Sequence, residues 1–216
     1  MPSYGFSPAL FDRLRLACAG FERDEVDRTL GLTDAAVAII VVDMEDGTDE
    51  AGFLLTLRAA SLRAHAGQYA LPGGRVDAGE SAIDTVIREC FEELGLVLSH
   101  DDVLGVLDDY VTLSGYAITP VVVAMTTTQP IVASPHEVAG VYRIALRAIT
   151  RDGAAKFSAN PGAGGPILSL QLVDDVRDDY DVIHAPTAAI LFQFAELLAG
   201  RATRVSGFGQ PAFARK

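Results

Sequence analysis

The chain has 216 residues, half of them apolar and 21% charged, and carries a net charge of −12. That composition is ordinary for a globular protein, and the length suits one domain of roughly 150 to 200 residues with a proper core. The acidity excludes a non-specific nucleic-acid binder, which needs a basic surface, but leaves open a phosphate-bearing substrate where metal ions or a few arginines reverse the local field.

Ser7-Pro8 opens a helix, with Ser7 as cap and Pro8 in its first turn, running to Ala19 and stopping at Gly20. The charged N-terminal stretch does not resemble a signal peptide, and runs such as "AAVAIIVV" are too short to span a bilayer, so the expectation is a cytoplasmic protein with no membrane partner. "AAVAIIVVD" (residues 35–43) reads as a buried strand and "FLLTLRA" (53–59) as a second. Pro72, Gly73 and Gly74 break the chain before an acidic helix. Four strand-like runs follow, at 103–112, 116–126, 137–146 and 167–173, with "LRAITRD" as a short helix and 157–165 as a loop by composition. "PTAAILFQFAELLAG" (186–200) is an amphipathic helix ending at Gly200. No repeat or linker divides the chain. The expected organisation is a helical N-terminal extension (1–34), one catalytic-size domain (35–200) and a C-terminal tail or partner-binding arm (201–216), built as an α/β (α+β) mixed sheet covered by helices. Cys18 and Cys90 make neither a disulfide framework nor a metal cluster, and the bias of fifteen Arg over two Lys is read as genome composition rather than function.

The acidic helix raises the functional question. On a helical wheel Ile83, Val86, Ile87, Cys90 and Leu94 form the apolar stripe, Glu89 and Glu93 share one flank, and Glu92 lies beyond them beside Arg88. Gly95 sits where a C-cap belongs. Like charges at i, i+4 cost a few tenths of a kcal/mol, and acids at a helix C-terminus oppose its dipole. A solvated face is the bland reading. A divalent cation shared by carboxylates one turn apart is the other, and it is favoured by the double glycine, which lets a ligand approach the backbone.

These residues resemble the Nudix hydrolase signature: Gly74, five residues, Glu80, seven residues, then Arg88-Glu89-Cys90-Phe91-Glu92-Glu93-Leu94-Gly95-Leu96, with every fixed position matched. The resemblance implies the Nudix fold, a mixed-sheet sandwich flanked by helices, and hydrolysis of a nucleoside diphosphate linked to another moiety with Mg²⁺ or Mn²⁺. It implies Glu89 and Glu93 as metal ligands, Glu92 as a third ligand or positioning carboxylate, and the Gly73 carbonyl as a further ligand. Glu80 and Arg88 are implied to form a structural ion pair that holds the loop on the helix. The general base would be Glu89 or a carboxylate from a later loop, for which Glu137 in "SPHEV" is the candidate, against the plain reading of an exposed loop residue.

The stretch from Leu54 to Gly74 resembles the added signature of the coenzyme A diphosphatase branch. Leu54, Leu55, Thr56, Arg58, Ala59, Arg63, Gly67, Pro72, Gly73 and Gly74 match, with His65 and Gln68 in agreement, and Leu71 stands where the branch carries Phe. Ile183, Thr187 and Ala188 echo a second stretch, in which His184 and Ala185 replace Trp and Gly. The implied reaction splits coenzyme A or acyl-coenzyme A into 3′,5′-ADP and 4′-phosphopantetheine or its acyl form. Arg58, Arg63, His65 and Gln68 would contact this small nucleotide substrate, and a homodimer is compatible. The alternatives are the same reaction on ADP-ribose, NADH or dinucleoside polyphosphates, and a non-catalytic ligand sensor, which usually loses the glutamates kept here.

Overall fold

The spine of the fold is a strand buried on both faces. β1 (Thr33–Asp43) alternates Ala36, Ala38, Ile40 and Val42 toward one side with Ile39 and Val41 toward the other, and all six are fully buried. A strand covered on both faces loses the apolar/polar alternation, which is why its sequence reads as one continuous apolar run. In the computed structural model, which describes residues 4–61, 66–160, 165–172 and 182–211, β1 lies at the centre of an eight-stranded sheet. It pairs antiparallel with β2 (Ala51–Arg58) and β4 (Gly73–Arg75) and parallel with β7 (Tyr116–Ala124). β3 (Tyr69–Ala70) and β8 (Val138–Ala145) flank β2, while β5 (Val103–Val106) and β6 (Tyr110–Val111) pair with β7. β9 (Ala155–Ser158), β10 (Ile167–Gln171) and β11 (Val182–His184) form a second, antiparallel sheet.

Helices cover both faces of the large sheet. α1 (Pro8–Ala19), capped by Ser7 whose hydroxyl accepts from the Leu10 amide, joins α3 (Leu146–Thr150) and α4 (Thr187–Leu198) over Ile39, Val41, Phe53 and Leu55. α2 (Ala82–Leu94) covers the other face, with Val86, Cys90 and Leu94 packed on Ala36, Ala38, Ile40 and Leu54. No helix among the described residues is long and apolar enough to cross a membrane.

Two expectations change. The loop expected at 157–165 begins later, because Phe157 and Ser158 belong to β9, opposite Leu168 and Ile167. Glycine and proline dominate only the second half of that segment, so its composition hid a strand end. The tail expected from residue 201 is packed against the body as far as Pro211, with 212–216 outside the described residues. Val205 is fully buried, and Arg204 pairs with Asp108 at 2.6 Å. The Gln210 side chain accepts from the Leu113 amide and donates to the Val111 carbonyl. The N-terminal segment is tied in the same way. Arg23 and Arg28 both donate to the buried carboxylate of Asp109 at 2.7 Å, and Arg23 also donates to the Leu107 carbonyl.

Candidate active site

The site begins with the two glycines. Gly73 has φ 149, a region that penalises any side chain, and a Cβ there would lie 2.2 Å from the Ala36 carbonyl oxygen. A Cβ on Gly74 would lie 2.1 Å from Oε1 of Glu89. Glycine at both positions therefore lets β4 pair with β1 and lets the Glu89 carboxylate rest on the strand backbone.

α2 then fixes the direction of its acids. Ser81 caps the helix in a reciprocal capping box with Asp84, and Gly95 closes it in the left-handed conformation at φ 67. The orphan carbonyls of Glu93 and Leu94 accept from the amides of Ser134 and Val132 at 2.8 Å, so the loop leading to β8 docks on the helix end. This contact carries Glu137 to the helix. Glu89, Glu93 and Glu137 present carboxylate oxygens that all lie within 4.8 Å of one another.

Burial acts on the charge state of the two helix acids. Glu93 is 4% exposed, and its carboxyl is pushed up to about 8 by burial and by the neighbouring Glu89 charge, against the opposing field of Arg58. Burial also raises Glu89, with Arg88 opposing. The Gly73 amide meets the trio, donating to Oε2 of Glu93 at 3.4 Å. Two carboxylates kept largely out of water, an exposed third beside them and one loosely held amide form an under-compensated acidic centre. A hard divalent cation with oxygen ligands fits that donor set, since it supplies the missing positive charge.

Glu92 stands outside this cluster. Its side chain is half exposed and accepts from Nη1 of Arg88 at 3.1 Å, because 100° per residue turns position 92 past Glu89 toward solvent. Arg88 is the hub of the helix–loop junction. Its Nε and Nη2 donate to both oxygens of Glu80 at 2.9 and 3.0 Å, Nη1 donates to Glu89 at 2.8 Å, and Nη2 also reaches the Arg75 carbonyl. Hydrogen bonds from Arg88 hold Glu80 down to about 2.

Of the upstream residues, Arg58 ends β2 opposite Val138, its amide donating to the Gln68 carbonyl at 3.0 Å. The next amide, Ala59, donates to the Glu137 carbonyl at 2.8 Å. Gln68 is exposed at the start of β3. Arg63 and His65 lie outside the described residues. Leu71, where the resemblance expects an aromatic, is a core residue at 5% exposure, and Ala185 is likewise buried. Sequence reasoning missed the amides of Gly73, Val132 and Ser134, because a backbone donor has no residue-type signal. The proline of "SPHEV" was the one hint that this loop has a fixed course.

A family model described as the NUDIX domain matches residues 32–161. A Cronobacter sakazakii protein named "Uncharacterized Nudix hydrolase NudL" is 40% identical over 149 residues, which is 68% of this chain and 75% of that protein. The Escherichia coli K12 protein of the same name is 40% identical over 126 residues, spanning 57% of this chain and 64% of its own length. Among solved structures, a MutT/nudix family protein from Enterococcus faecalis has a TM-score of 0.48 at 20% identity, covering 69% of this chain and 56% of that one. A C. elegans Ap4A hydrolase binary complex has a TM-score of 0.48 at 20% identity, covering 77% and 98%.

Proposed function

Because this chain belongs to the NUDIX domain family and is a Nudix hydrolase, we propose that it hydrolyses the diphosphate of coenzyme A or an acyl-coenzyme A, releasing 3′,5′-ADP and 4′-phosphopantetheine or its acyl form. The family acts on nucleoside diphosphates linked to another moiety and generally uses divalent metals, so the proposal concerns the substrate and the residues that serve it. The observation that carries the reaction is the convergence of Glu89, Glu93 and Glu137 within 4.8 Å at the double-glycine strand. What supports the substrate is the run Leu54, Leu55, Thr56, Arg58, Ala59 and Arg63 through Gly67 to the Pro72-Gly73-Gly74 bend.

In this reading Glu89 and Glu93 would hold Mg²⁺ or Mn²⁺, with Gly73 and Glu137 beside them. The bound ion supplies Lewis acidity and a water of lowered pKa. The protein does the rest. The β4 backbone and α2 hold the carboxylates in one place, and the exposed Glu137 is the carboxylate free to take a proton from the attacking water. Water adds to one phosphorus, the bridging P–O bond breaks, and the two products leave as phosphate monoesters. Glu80 and Arg88 position Glu89, and Glu92 tunes Arg88. Arg58, Arg63, His65 and Gln68 contact the nucleotide.

Incubation with coenzyme A and Mg²⁺ or Mn²⁺, followed by separation of products, tests the reading. The expected products are 3′,5′-ADP and 4′-phosphopantetheine, formed with a higher kcat/KM than products from ADP-ribose, NADH or a dinucleoside polyphosphate. Failure to form 3′,5′-ADP under either metal refutes it.

A further inference from the structure

Among the described residues, one arginine side chain makes no hydrogen bond, ion pair or ring contact. Among the described residues, every other arginine side chain makes a hydrogen bond, an ion pair or a ring contact. Arg58 makes none, and its Nε is buried without a hydrogen-bond partner. In a chain of net charge −12 an arginine rarely lacks a carboxylate, and the charge of this one acts on Glu93 without a bond to it. The strand register explains the position. β2 ends at Arg58 across from Val138, and the Ala59 amide is bonded to the Glu137 carbonyl, so the strand end that carries Arg58 runs beside the Glu137 backbone. Along β2, Leu54 packs on the α2 side of the sheet while Leu55 packs on the other, and Arg58 has the parity of Leu54. Arg58 and the α2 acids therefore share one face.

A guanidinium held beside carboxylates, yet bonded to none of them, is free to bind a different acceptor. The anion that comes to a cation-binding acidic trio is the diphosphate itself. We propose that Arg58 is a catalytic residue that grips the scissile diphosphate beside Glu89, Glu93 and Glu137, rather than a reader of the distant 3′-phosphate of coenzyme A. The planar fork of arginine matches two oxygens of one phosphoryl group and stabilises the charge that builds as the bridging bond breaks. This inference rests on the diphosphate-hydrolase reading but not on coenzyme A as the preferred substrate.

The test uses the full chain as wild type, Arg58→Ala and Arg58→Lys, with coenzyme A and dephospho-coenzyme A, which differ only in the 3′-phosphate. Binding of α,β-methylene-ADP and of Mn²⁺ alone is measured by calorimetry on the same proteins, after thermal unfolding has checked that they are folded. Arg58→Ala is expected to lower kcat by about 100-fold on both substrates and leave their ratio unchanged. It is expected to weaken the methylene analogue roughly tenfold or more while retaining Mn²⁺ affinity, with Arg58→Lys recovering part of each. A loss confined to coenzyme A overturns the proposal in favour of a 3′-phosphate reader. Unchanged kinetics, or Mn²⁺ affinity falling as far as turnover, assigns Arg58 a structural role and overturns it too. If the wild type cleaves neither compound, the substrate reading fails, and the analogue still judges Arg58: equal affinity for wild type and Arg58→Ala refutes the inference.

Discussion

Glu93 and Glu137 bring carboxylate oxygens within 4.8 Å of each other, although one is nearly sealed on the buried side of α2 and the other is exposed on a loop. The Ser134 amide on the Glu93 carbonyl is what joins the two elements. An interior acid and a solvent-facing acid thus share one point of the molecule.

The first prediction concerns the metal ligands. Glu93→Gln and Glu89→Gln are expected to lower kcat by roughly 100-fold or more, as for removal of a principal electrostatic group, whereas Glu92→Gln costs on the order of tenfold or less because Glu92 only supports Arg88. Steady-state rates with saturating Mg²⁺ check the ranking. Glu92→Gln matching Glu93→Gln would count against the assignment.

Proton release follows from the raised carboxyl of Glu93, at about 8. At pH 7 that group is mostly protonated, so loading a divalent ion displaces a proton. Calorimetric titration of Mn²⁺ in buffers of different ionisation enthalpy is expected to give a proton count near one, falling as the pH approaches 9 and absent in Glu93→Gln.

Stability in chelator has a matching pH dependence. Because the folded value of Glu93 lies above the unfolded value of 4.5, the native state binds the extra proton. Its stabilising contribution is full below about pH 4.5 and is lost as the pH rises toward 8, by at most about 1.4 kcal/mol per pH unit. Thermal unfolding between pH 5 and 9 is expected to show a falling Tm for the wild type, a flatter profile for Glu93→Gln, and recovery with Mg²⁺.

The two glycines are expected to fail differently. Gly73→Ala meets the Ala36 carbonyl and an unfavourable φ, and is expected to destabilise the protein by about 1–3 kcal/mol. Gly74→Ala collides with the end of the Glu89 side chain, which can swing away, so the fold persists and metal affinity falls. Denaturant unfolding and Mn²⁺ titration separate the outcomes.

Much of this fold was legible because it follows local rules. The caps at Ser7 and Gly95, the stripe Val86-Cys90-Leu94 and the apolar run of β1 each state their structure in residue type and spacing. The pairing of Glu89 with Glu93 was equally readable from a four-residue interval. The place of Glu92 beyond that flank and beside Arg88 was readable from helical phase as well, whereas the arrival of Glu137 at the helix was not, since it depends on the amides of Val132 and Ser134. Nor was the packed course of residues 201–211, which has no periodicity and is held by single side chains such as Val205, Arg204 and Gln210 on distant partners. The short strands β3, β4 and β11 owe their form to neighbours already in the sheets, which no window of their own sequence contains.

The acidic pair Asp108 and Asp109 is satisfied from opposite directions along the chain. Asp109 meets arginines made before it, while Asp108 accepts from the earlier Asp24 amide but finds its arginine only at Arg204. On a ribosome, a nascent polypeptide that has already assembled its central strands still holds the Asp108 carboxylate without its arginine until residue 204 has emerged. That counter-charge therefore arrives later in synthesis than the sheet around it.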